Sequence, residues 1–502
     1  MTHTLIGAPV LVVGAGIMGA GIAQVAAQAG HSVLLFDTRD GAAAQAKDKL
    51  TQTLEGLAAK GKLSAEAVAQ TLSRIITIAA LEEAADVGLV VEAIVEKLDA
   101  KRGLFQQLEA IVAADCVLAS NTSSISVTAI ANGLQHPQRL VGMHFFNPVP
   151  LMKLVEVVSG LQTDAAVASS IFELSKVWGK VPVHARSTPG FIVNRIARPY
   201  YAESLALLQE QAATPAVLDA CLRSAGFRMG PCELMDLIGH DTNFSVTQSV
   251  FEANFYDKRF VPSLVQRELV DGGLLGRKSG RGFYDYAQAV SAPEPAVVEP
   301  VALPTAQLLR VHGQGPVADR WVAALMQAGQ AFLRVPDSDW VGLGVEGAQL
   351  RLTDGRTATQ LGVEVSVFDL PLNAPSGAAL AWASSLRASP AWTRAAPRWL
   401  ATLGFKPQRV ADTPALVVAR TLAMLINEAA DAVQQGVCTQ DGADAAMKLG
   451  VNYPAGPFEW LAQWSTPAVL GVLDALDAHY RGERYRVSPW LRQRPWMDVE
   501  SS

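Results

Sequence analysis

The sequence predicts an α/β protein built as two copies of one plan. In each copy a doubly wound parallel sheet precedes an all-α domain, and the sheet of the second copy is shortened and degenerate. Three observations support this prediction. Residues 10–36 alternate two strands with a helix, residues 188–270 have helical periodicity, and motifs of that helical segment recur about 225 residues later.

Composition limits the classes of function. The chain has 502 residues, of which 50% are apolar and 18% are charged, so several domains with large cores are expected. The net charge of −6 gives no electrostatic argument for binding nucleic acid or an anionic membrane. No Asp, Glu, Lys or Arg precedes Asp37. Glycines interrupt this uncharged run and no basic segment begins it, so a buried strand, turn and helix is favoured over a membrane span or an export signal.

The cysteines indicate the compartment. Their spacing is neither that of metal ligands nor that of a disulfide framework: Cys116, Cys221, Cys232 and Cys438. We therefore expect no metal site and a reducing, cytoplasmic environment.

The N-terminal segment has the pattern of a dinucleotide-binding βαβ unit. Val10–Val13 and Val33–Phe36 have the composition of buried parallel strands, and residues 20–29 between them that of a helix. The turn after the first strand carries three glycines, which permit a tight turn, a close approach to a pyrophosphate and close helix packing: Gly14, Gly16 and Gly19. Asp37 can bind the ribose hydroxyls and would repel a 2′-phosphate, so NAD is favoured over NADP, although Arg39 leaves that choice open. The alternative is a glycine-rich turn that binds no nucleotide.

Polar residues follow the later strands of the predicted sheet. Residues 87–91, 116–119 and 140–143 have the composition of strands, and the last two run into the polar segment 121–124 and into His144. Because ligands bind at the carboxyl ends of parallel strands, we expect Ser123 and His144 to face one crevice. The alternative for residues 121–124 is an ordinary turn or helix cap.

One histidine and one glutamate are candidates for acid–base chemistry. His144 ends an apolar run, and Glu156 lies in another apolar run twelve residues later. A neutral imidazole can take a proton near pH 7, and a nearby carboxylate can fix its tautomer and stabilise its charged form. The alternative is a hydrogen-bonded core histidine and a surface glutamate.

The second half of the chain repeats the first. Residues 413–420 match residues 188–195 at a spacing of 225, and residues 456–459 match residues 230–233 at a spacing of 226. Residues 308–315 resemble the N-terminal strand and glycine turn at a spacing of 299, so this copy has lost about 74 residues. The predicted domains are a Rossmann-type NAD-binding domain at 1–187, a helical domain at 188–286, a linker at 287–304, a degenerate Rossmann-like segment at 305–412 and a second helical domain at 413–502.

Substitutions in the second copy predict that it is structural. Asn194, on an otherwise apolar helix, is either a satisfied buried amide or a substrate ligand. Ala419 stands at its position in the repeat, and Ala415 stands at that of Gly190. Alanine offers no side-chain hydrogen bond, so the second copy cannot repeat the role of Asn194. We also expect no equivalent of the His144 loop between residues 305 and 412.

Five motifs resemble, in order and spacing, those of the L-3-hydroxyacyl-CoA dehydrogenases. They lie at residues 14–19, 121–124, 144–148, 188–195 and 230–234. The resemblance covers residues 6–286 and implies NAD-dependent oxidation of an L-3-hydroxyacyl-CoA to the 3-oxoacyl-CoA. The length and the repeated helical domain resemble the phenylacetate-catabolic branch, whose substrate is 3-hydroxyadipyl-CoA. Oxidation of 3-hydroxybutyryl-CoA is the alternative.

The resemblance also implies roles for individual residues. His144 and Glu156 would form the catalytic pair, and Ser123 and Asn194 would bind the substrate oxygen. Contacts with NAD are implied for Gly14, Gly16, Ile17, Met18, Gly19, Asp37, Glu96, Lys101, Asn121 and Ser123.

The acyl-CoA substrate would be held by other residues. Thr53 and Lys60 fall where the family contacts CoA, in a lysine-bearing segment, 42–72, that we expect to be helical. A dicarboxylic acyl chain needs a cation at its far end, for which Arg195 and Arg198 are candidates.

Three points stay open from the sequence. A hydroxyacid dehydrogenase related to 6-phosphogluconate dehydrogenase would share the glycine turn but would need a catalytic lysine on an interdomain helix. A non-catalytic structural protein, like the crystallins recruited from the same family, would not need the four site residues. The repeated helical domain predicts either a pseudo-dimeric monomer or a homodimer.

Overall fold

The computed structural model describes residues 5–287, 308–372 and 374–498, which form two compact units. The first unit contains the residues up to Arg195 together with Ala432–Val451. The second contains Ile196–Asp431 and the residues from Asn452 onward. The linker predicted at 287–304 lies, apart from Ala287, outside the described residues.

An eight-stranded sheet organises the first unit. Its strands are β1 (Val10–Val13), β2 (Val33–Phe36), β3 (Ile75–Thr77), β4 (Leu89–Glu92), β5 (Val117–Ser120), β6 (Leu140–Phe145), β7 (Leu154–Ser159) and β8 (Val181–Arg186). They lie in the order β3-β2-β1-β4-β5-β6-β7-β8, and β6–β7 is the antiparallel pair. Burial of β1, β4 and β5 along their whole length explains why they appear in the sequence as continuous apolar runs.

The helices of this segment follow the strands. They are α1 (Ile17–Gln28), α2 (Ala42–Ala59), α3 (Ala65–Ser73), α4 (Leu98–Glu109), α5 (Val127–Ala131) and α6 (Ala165–Val177). Helix α1 begins at Ile17, three residues earlier than predicted, so Gly19 lies within the helix. A Cβ on Gly19 would lie 1.7 Å from the carbonyl oxygen of Gly14, so only glycine allows α1 to pack this closely.

A seven-stranded sheet lies in the second unit. Its strands are β9 (Leu309–His312), β10 (Leu333–Val335), β11 (Gly342–Val345), β12 (Ala348–Leu352), β13 (Val365–Phe368), β14 (Ala379–Ser384) and β15 (Lys406–Arg409). They lie in the order β10-β9-β11-β12-β13-β14-β15. Here β11 pairs antiparallel with both β9 and β12, and β13 pairs antiparallel with β14.

The remaining helices belong mainly to the two helical domains. They are α7 (Val193–Ile196), α8 (Arg198–Gln209), α9 (Pro215–Ser224), α10 (Pro231–Ile238), α11 (His240–Ala253), α12 (Leu264–Asp271), α13 (Pro316–Gln327), α14 (Ala358–Leu361), α15 (Pro390–Thr402), α16 (Val418–Gln434), α17 (Gln440–Gly450), α18 (Pro457–Trp464), α19 (Thr466–Tyr480) and α20 (Pro489–Asp498). Helices α13, α14 and α15 accompany the second sheet.

The second sheet is a shortened copy of the first, as the sequence predicts. Strand β9 and helix α13 lie 299 residues after β1 and α1, whereas β14 and α15 lie 225 residues after β7 and α6. The residues lost between these two registers correspond to helices α2 and α3 and to the parallel strand β4 with its helix α4. The antiparallel strand β11 pairs with β9 at the position where β4 pairs with β1 in the first copy. The degenerate Rossmann-like architecture is thereby confirmed.

One expectation about the second copy is wrong. Strands β13 and β14 reproduce the β6–β7 pair at the spacing of 225, so the position of His144 has an equivalent, which is Asp369. Ala381 stands at the position of Glu156, and its carbonyl accepts the Asp369 N–H at 2.9 Å. The Asp369 carboxylate itself accepts three backbone N–H groups, those of residues 417–419, at 2.6–3.0 Å.

The uncharged N-terminal run forms β1, the glycine turn and α1. Among the helices of the described residues, none has both the length and the apolar character needed to cross a bilayer.

Candidate active site

The β6–β7 pair places His144 directly opposite Glu156. The imidazole Nδ1 lies 2.5 Å from the Glu156 Oε2, and both residues are buried. Because Nδ1 is engaged by the carboxylate, Nε2 is the nitrogen through which the ring can exchange a proton. The rings of Phe146 and Phe191 lie against the imidazole, with centroid distances of 4.5 and 5.9 Å.

The second carboxylate oxygen of Glu156 is held by the start of α7. Its Oε1 accepts hydrogen bonds from the backbone N–H groups of Ile192 and Val193 at 3.0 and 2.9 Å. These two hydrogen bonds satisfy an oxygen that is fully removed from water. The strand and the helical turn thus fix Glu156, and Glu156 fixes His144.

Hydrogen bonds connect the polar loop after β5 with the same region. The Asn121 Oδ1 accepts the backbone N–H of Phe145 at 2.9 Å, next to His144. The Asn194 Nδ2 donates to the carbonyl oxygen of Ser123 at 3.4 Å. All four residues that the sequence predicts around the reacting oxygen therefore belong to one connected part of the first unit.

Glu96 organises this loop from the other side. Its Oε1 accepts the Thr122 hydroxyl at 2.6 Å and the Ser123 N–H at 2.8 Å. Burial acts to raise the pKa of Glu96, but the Lys101 ammonium and the hydrogen bonds outweigh it, so this pKa lies below its ordinary value. The Glu96 carboxylate is therefore ionised and available at the carboxyl end of the sheet.

Lys101 is buried rather than presented at the surface. Its Nζ lies 2.6 Å from Glu92 Oε1 and 3.1 Å from Glu96 Oε2. Glu92 also accepts the Ser120 hydroxyl at 2.6 Å. Lys101 therefore binds the two carboxylates. Because its ammonium group is buried between them, the geometry does not support the predicted direct contact with NAD.

The glycine turn fits a dinucleotide. A Cβ on Gly16 would meet nothing within 4 Å, so there is open space above the turn at the N-terminus of α1, beside Ile17 and Met18. In contrast, a Cβ on Gly14 would lie 2.5 Å from the carbonyl oxygen of Ala93. Free N–H groups at a helix N-terminus next to open space suit the pyrophosphate of NAD.

Asp37 lies at the end of β2, where the family pattern requires an acid. It accepts the N–H of Ala15 at 2.8 Å and pairs with the guanidinium of Arg39 at 3.0 Å. The hydrogen bond from the Arg39 side chain is the main reason that the pKa of Asp37 is lowered to about 2. Its carboxylate is therefore ionised at every pH at which a ribose would bind.

The predicted CoA contacts lie along α2. Thr53 is exposed and lines a groove of about 480 Å³ together with Arg39, Lys49 and the loop after β6. Lys60 is exposed at the C-terminus of α2 and does not line this groove. The groove carries two cations, as a phosphate-bearing ligand would require.

Glu92 and Lys180 contribute to the site, although the sequence predicts no role for either residue. Glu92 ends an apolar strand, which is the signal that could have identified it. Lys180 precedes β8 and donates to the carbonyl oxygens of Val149 and, at 2.8 Å, of Met152, so it holds the loop that follows His144. Burial and, secondly, the charge of Lys153 together lower the pKa of Lys180 to about 8. Nothing in the local sequence around Lys180 indicates this contact.

Sequence profiles of one family match most of the chain. Residues 9–188 match the NAD binding domain of 3-hydroxyacyl-CoA dehydrogenase, and residues 190–286 and 416–495 match its C-terminal domain twice. Residues 350–414 match the 3-hydroxybutyryl-CoA dehydrogenase reduced Rossmann-fold domain.

Individual relatives agree with the profiles. The chain is 44% identical over 490 residues to the 3-hydroxyadipyl-CoA dehydrogenase of Escherichia coli, covering 97% of this chain and 98% of that one. It is 42% identical over 287 residues to the human mitochondrial hydroxyacyl-coenzyme A dehydrogenase, covering 55% of this chain and 90% of that one. The crystal structure of an Escherichia coli 3-hydroxybutyryl-CoA dehydrogenase superposes with a TM-score of 0.88 at 42% identity, covering 99% of both chains.

The agreement extends over both copies of the repeat. It sets aside the alternative related to 6-phosphogluconate dehydrogenase, since fold, motif order and relatives point to one family. The chain belongs to the NAD-dependent 3-hydroxyacyl-CoA dehydrogenases.

Proposed function

We propose that this dehydrogenase oxidises 3-hydroxyadipyl-CoA with His144 as the general base. The observation that carries the mechanism is the 2.5 Å contact between His144 Nδ1 and Glu156, which leaves Nε2 to accept a proton. As the 3-hydroxyl proton moves to Nε2, the imidazolium charge forms beside a buried carboxylate that stabilises it. Glu156 is already fixed by two backbone N–H groups, so little reorganisation is needed.

Ser123 and Asn194 would position the reacting oxygen. The Asn194 amide group lies against the Ser123 carbonyl, and both residues adjoin the loop that carries Asn121. The hydroxyl of Ser123 and the free amide hydrogen of Asn194 are donors that can hold the substrate oxygen next to His144.

Residues at the carboxyl end of the sheet would hold the cofactor. Bound NAD supplies the hydride acceptor. The turn residues Gly14, Gly16, Ile17, Met18 and Gly19 would bind its pyrophosphate, and Asp37 its ribose. Glu96, Asn121 and Ser123 would line the nicotinamide side, with Lys101 acting through Glu96. For CoA, we propose the groove along α2, with Thr53 inside it and Lys60 at its end.

His144→Gln tests the mechanism. Glutamine cannot act as a base near neutral pH, so kcat should fall by roughly 10²-fold to 10⁴-fold while NAD still quenches protein fluorescence. Turnover equal to that of the unaltered chain would remove His144 from the mechanism.

The proposed adipyl group is supported by a relative that matches this chain over nearly its whole length. That relative carries the name 3-hydroxyadipyl-CoA dehydrogenase, whereas the superposed crystal structure carries the name 3-hydroxybutyryl-CoA dehydrogenase. Comparing kcat/KM for 3-hydroxyadipyl-CoA and 3-hydroxybutyryl-CoA by NADH absorbance decides between them. We expect the adipyl substrate to be favoured, and a preference for the butyryl substrate would establish the alternative.

The helical domains support a pseudo-dimer within one chain. Arg259 lies 3.2 Å from Glu428, and the residues 225 positions away repeat the contact in reverse, with Arg484 2.8 Å from Glu203. The short helical turns that carry the two arginines, Lys258–Phe260 and Glu483–Tyr485, contact each other. Such an exchange of equivalent residues is the signature of a twofold interface. We infer that the second copy takes the place of a partner chain.

We also propose a cytoplasmic location and the domain limits given by the sequence. All four cysteines are free, and Cys116, Cys221 and Cys232 are buried, as suits a reducing compartment. Light labelling of intact cells with a membrane-impermeant amine reagent should leave exposed lysines such as Lys60 unmodified, whereas the same reagent should label them after lysis.

A further inference from the structure

In the second unit, Arg198 is a buried cation for which the described residues provide no counter-ion. Its Nη1 donates to the Thr247 hydroxyl at 3.1 Å, and its guanidinium lies 4.9 Å from the ring centre of Tyr201. The Nε is buried and has no hydrogen-bond partner among the described residues. No Asp or Glu in the described part of the chain forms an ion pair with it, and tyrosines are the neighbouring ionisable groups.

This arrangement is unfavourable unless something else binds there. Arginine stays charged in proteins, and a buried charge without a partner costs several kcal/mol. Burial lowers the pKa of Arg198, which has the direction expected for an uncompensated cation. An anion bound beside the guanidinium would supply the missing counter-charge.

A small cavity opens beside the guanidinium. It has a volume of about 60 Å³, and its wall includes Thr247, Ser263 and Gln266. Arg484 also lines it, but that side chain is already paired with Glu203 at 2.8 Å. The lining contains no carboxylate. The cavity has room for a carboxylate group or a few water molecules.

The repeat shows that the helical fold does not need these polar residues. At the spacing of 225, Ala423 stands at the position of Arg198 and Ile426 at that of Tyr201. Leu491 follows Ser488 by three residues, as Gln266 follows Ser263. The repeat therefore fills the equivalent positions with apolar side chains, and Ala423, Ile426 and Leu491 are buried.

We propose that the Arg198 cavity binds a carboxylate. The planar guanidinium matches a carboxylate, and the hydroxyl of Ser263 in the cavity wall can donate a further hydrogen bond to it. The ligand is a small free carboxylic acid.

Melting of the full chain tests the site with free anions. Sodium acetate, sodium adipate and sodium chloride are compared at equal ionic strength, in the unaltered chain, in Arg198→Ala and in the control Arg267→Ala. Arg267 is an exposed arginine of α12. We expect a carboxylate to raise Tm by about 2–4 °C in the unaltered chain and the control but not in Arg198→Ala. Arg198→Met, which removes the charge but fills the space, should behave like Arg198→Ala.

The proposal is overturned if the carboxylates change Tm equally in the Arg198 variants and in the unaltered chain. It is also overturned if chloride raises Tm as much as acetate does, since the site would then be unselective.

Discussion

Glu156 performs two tasks that depend on different oxygens of one carboxylate. Oε2 pairs with His144 and sets its tautomer, and Oε1 accepts the N–H groups of Ile192 and Val193. The same residue therefore serves the chemistry and anchors the start of the helical domain. In the second copy, Asp369 performs only the anchoring task.

Glu156→Gln should separate these tasks. The amide oxygen can still accept the helix N–H groups, but the amide nitrogen would face Nδ1 and force the proton onto Nε2. With Nε2 protonated, His144 cannot act as the base, so kcat should fall by roughly 10³-fold to 10⁴-fold with little change in Tm. Stopped-flow NADH absorbance measures kcat, and thermal melting measures Tm. The matched control is Asp369→Asn, which should lower Tm and leave kcat unchanged, and a loss of kcat in that control would contradict the division of tasks.

Asn194→Ala tests the asymmetry between the two copies. Removing a donor that holds the reacting oxygen should lower kcat by roughly 10²-fold to 10³-fold. Ala419→Gly alters the equivalent position of the repeat and should change only stability, by about 1 kcal/mol. Both variants are compared at saturating substrate. If the two lower kcat equally, the second copy is not merely structural.

At the scale of elements, Lys180 links the start of β8 to the loop after His144. Its Nζ binds two carbonyl oxygens of that loop, and Val149 and Pro150 of the loop line the groove along α2. Phe405 stands at the equivalent position of the repeat, so the fold accepts an apolar side chain there.

Stability should depend on pH through Lys180. Its pKa is lowered from 10.5 to about 8, so the folded protein binds this proton less tightly than the unfolded chain. The charged form therefore reduces stability below pH 8, and this reduction is relieved as pH rises from about 8 to 10.5. The urea midpoint of the unaltered chain, relative to Lys180→Met, should accordingly rise between pH 7 and pH 10. Lys176→Met, at an exposed position, should show no such change relative to the unaltered chain.

The sequence allowed the elements of the first copy to be predicted because their signals are local. Buried parallel strands such as β1 are short apolar runs, and the glycine turn marks the start of α1. The bounds of the predicted strands shift by only one or two residues. Strands β3, β7 and β8 and the antiparallel strand β11 depend on pairing with distant segments and were not predicted.

The residues of the candidate site likewise fall into those that the sequence predicts and those that it does not. The sequence pointed to His144, Glu156, Ser123 and Asn194 through motifs, and the structure brings them into one region. It did not point to Lys180, whose partners are backbone carbonyls about thirty residues away. Asp369 was not predicted for another reason, since the repeat carries an aspartate and not a histidine at the position of His144.

Across the whole molecule, reciprocal ion pairs join the two helical domains. If the second copy replaces a partner chain, light scattering should give the mass of one chain, 53.3 kDa, at micromolar concentration. A mass near twice this value would contradict the proposal. Dilution over a hundredfold range should leave the measured mass unchanged.

Removing either carboxylate of these pairs should destabilise the chain. Glu203→Gln leaves Arg484 without a carboxylate and leaves Arg420 with Glu210 alone, and Glu428→Gln deprives Arg259 of one of its two carboxylates. A broken buried pair costs about 3–5 kcal/mol, so both variants should melt earlier, Glu203→Gln more so. Glu252→Gln, at an exposed position, is the control. Calorimetry that finds all three variants alike would show that the pairs do not hold the domains together.

The exchange of His144 for Asp369 in the repeat also limits what evolution can still do with this half of the chain. A histidine restored at position 369 alone would leave the amides of residues 417–419 without an acceptor. A glutamate restored alone at position 381 would bury a second negative charge beside Asp369. Each single reversion would therefore destabilise the second unit, so restoring the histidine–glutamate pair there requires both changes at once.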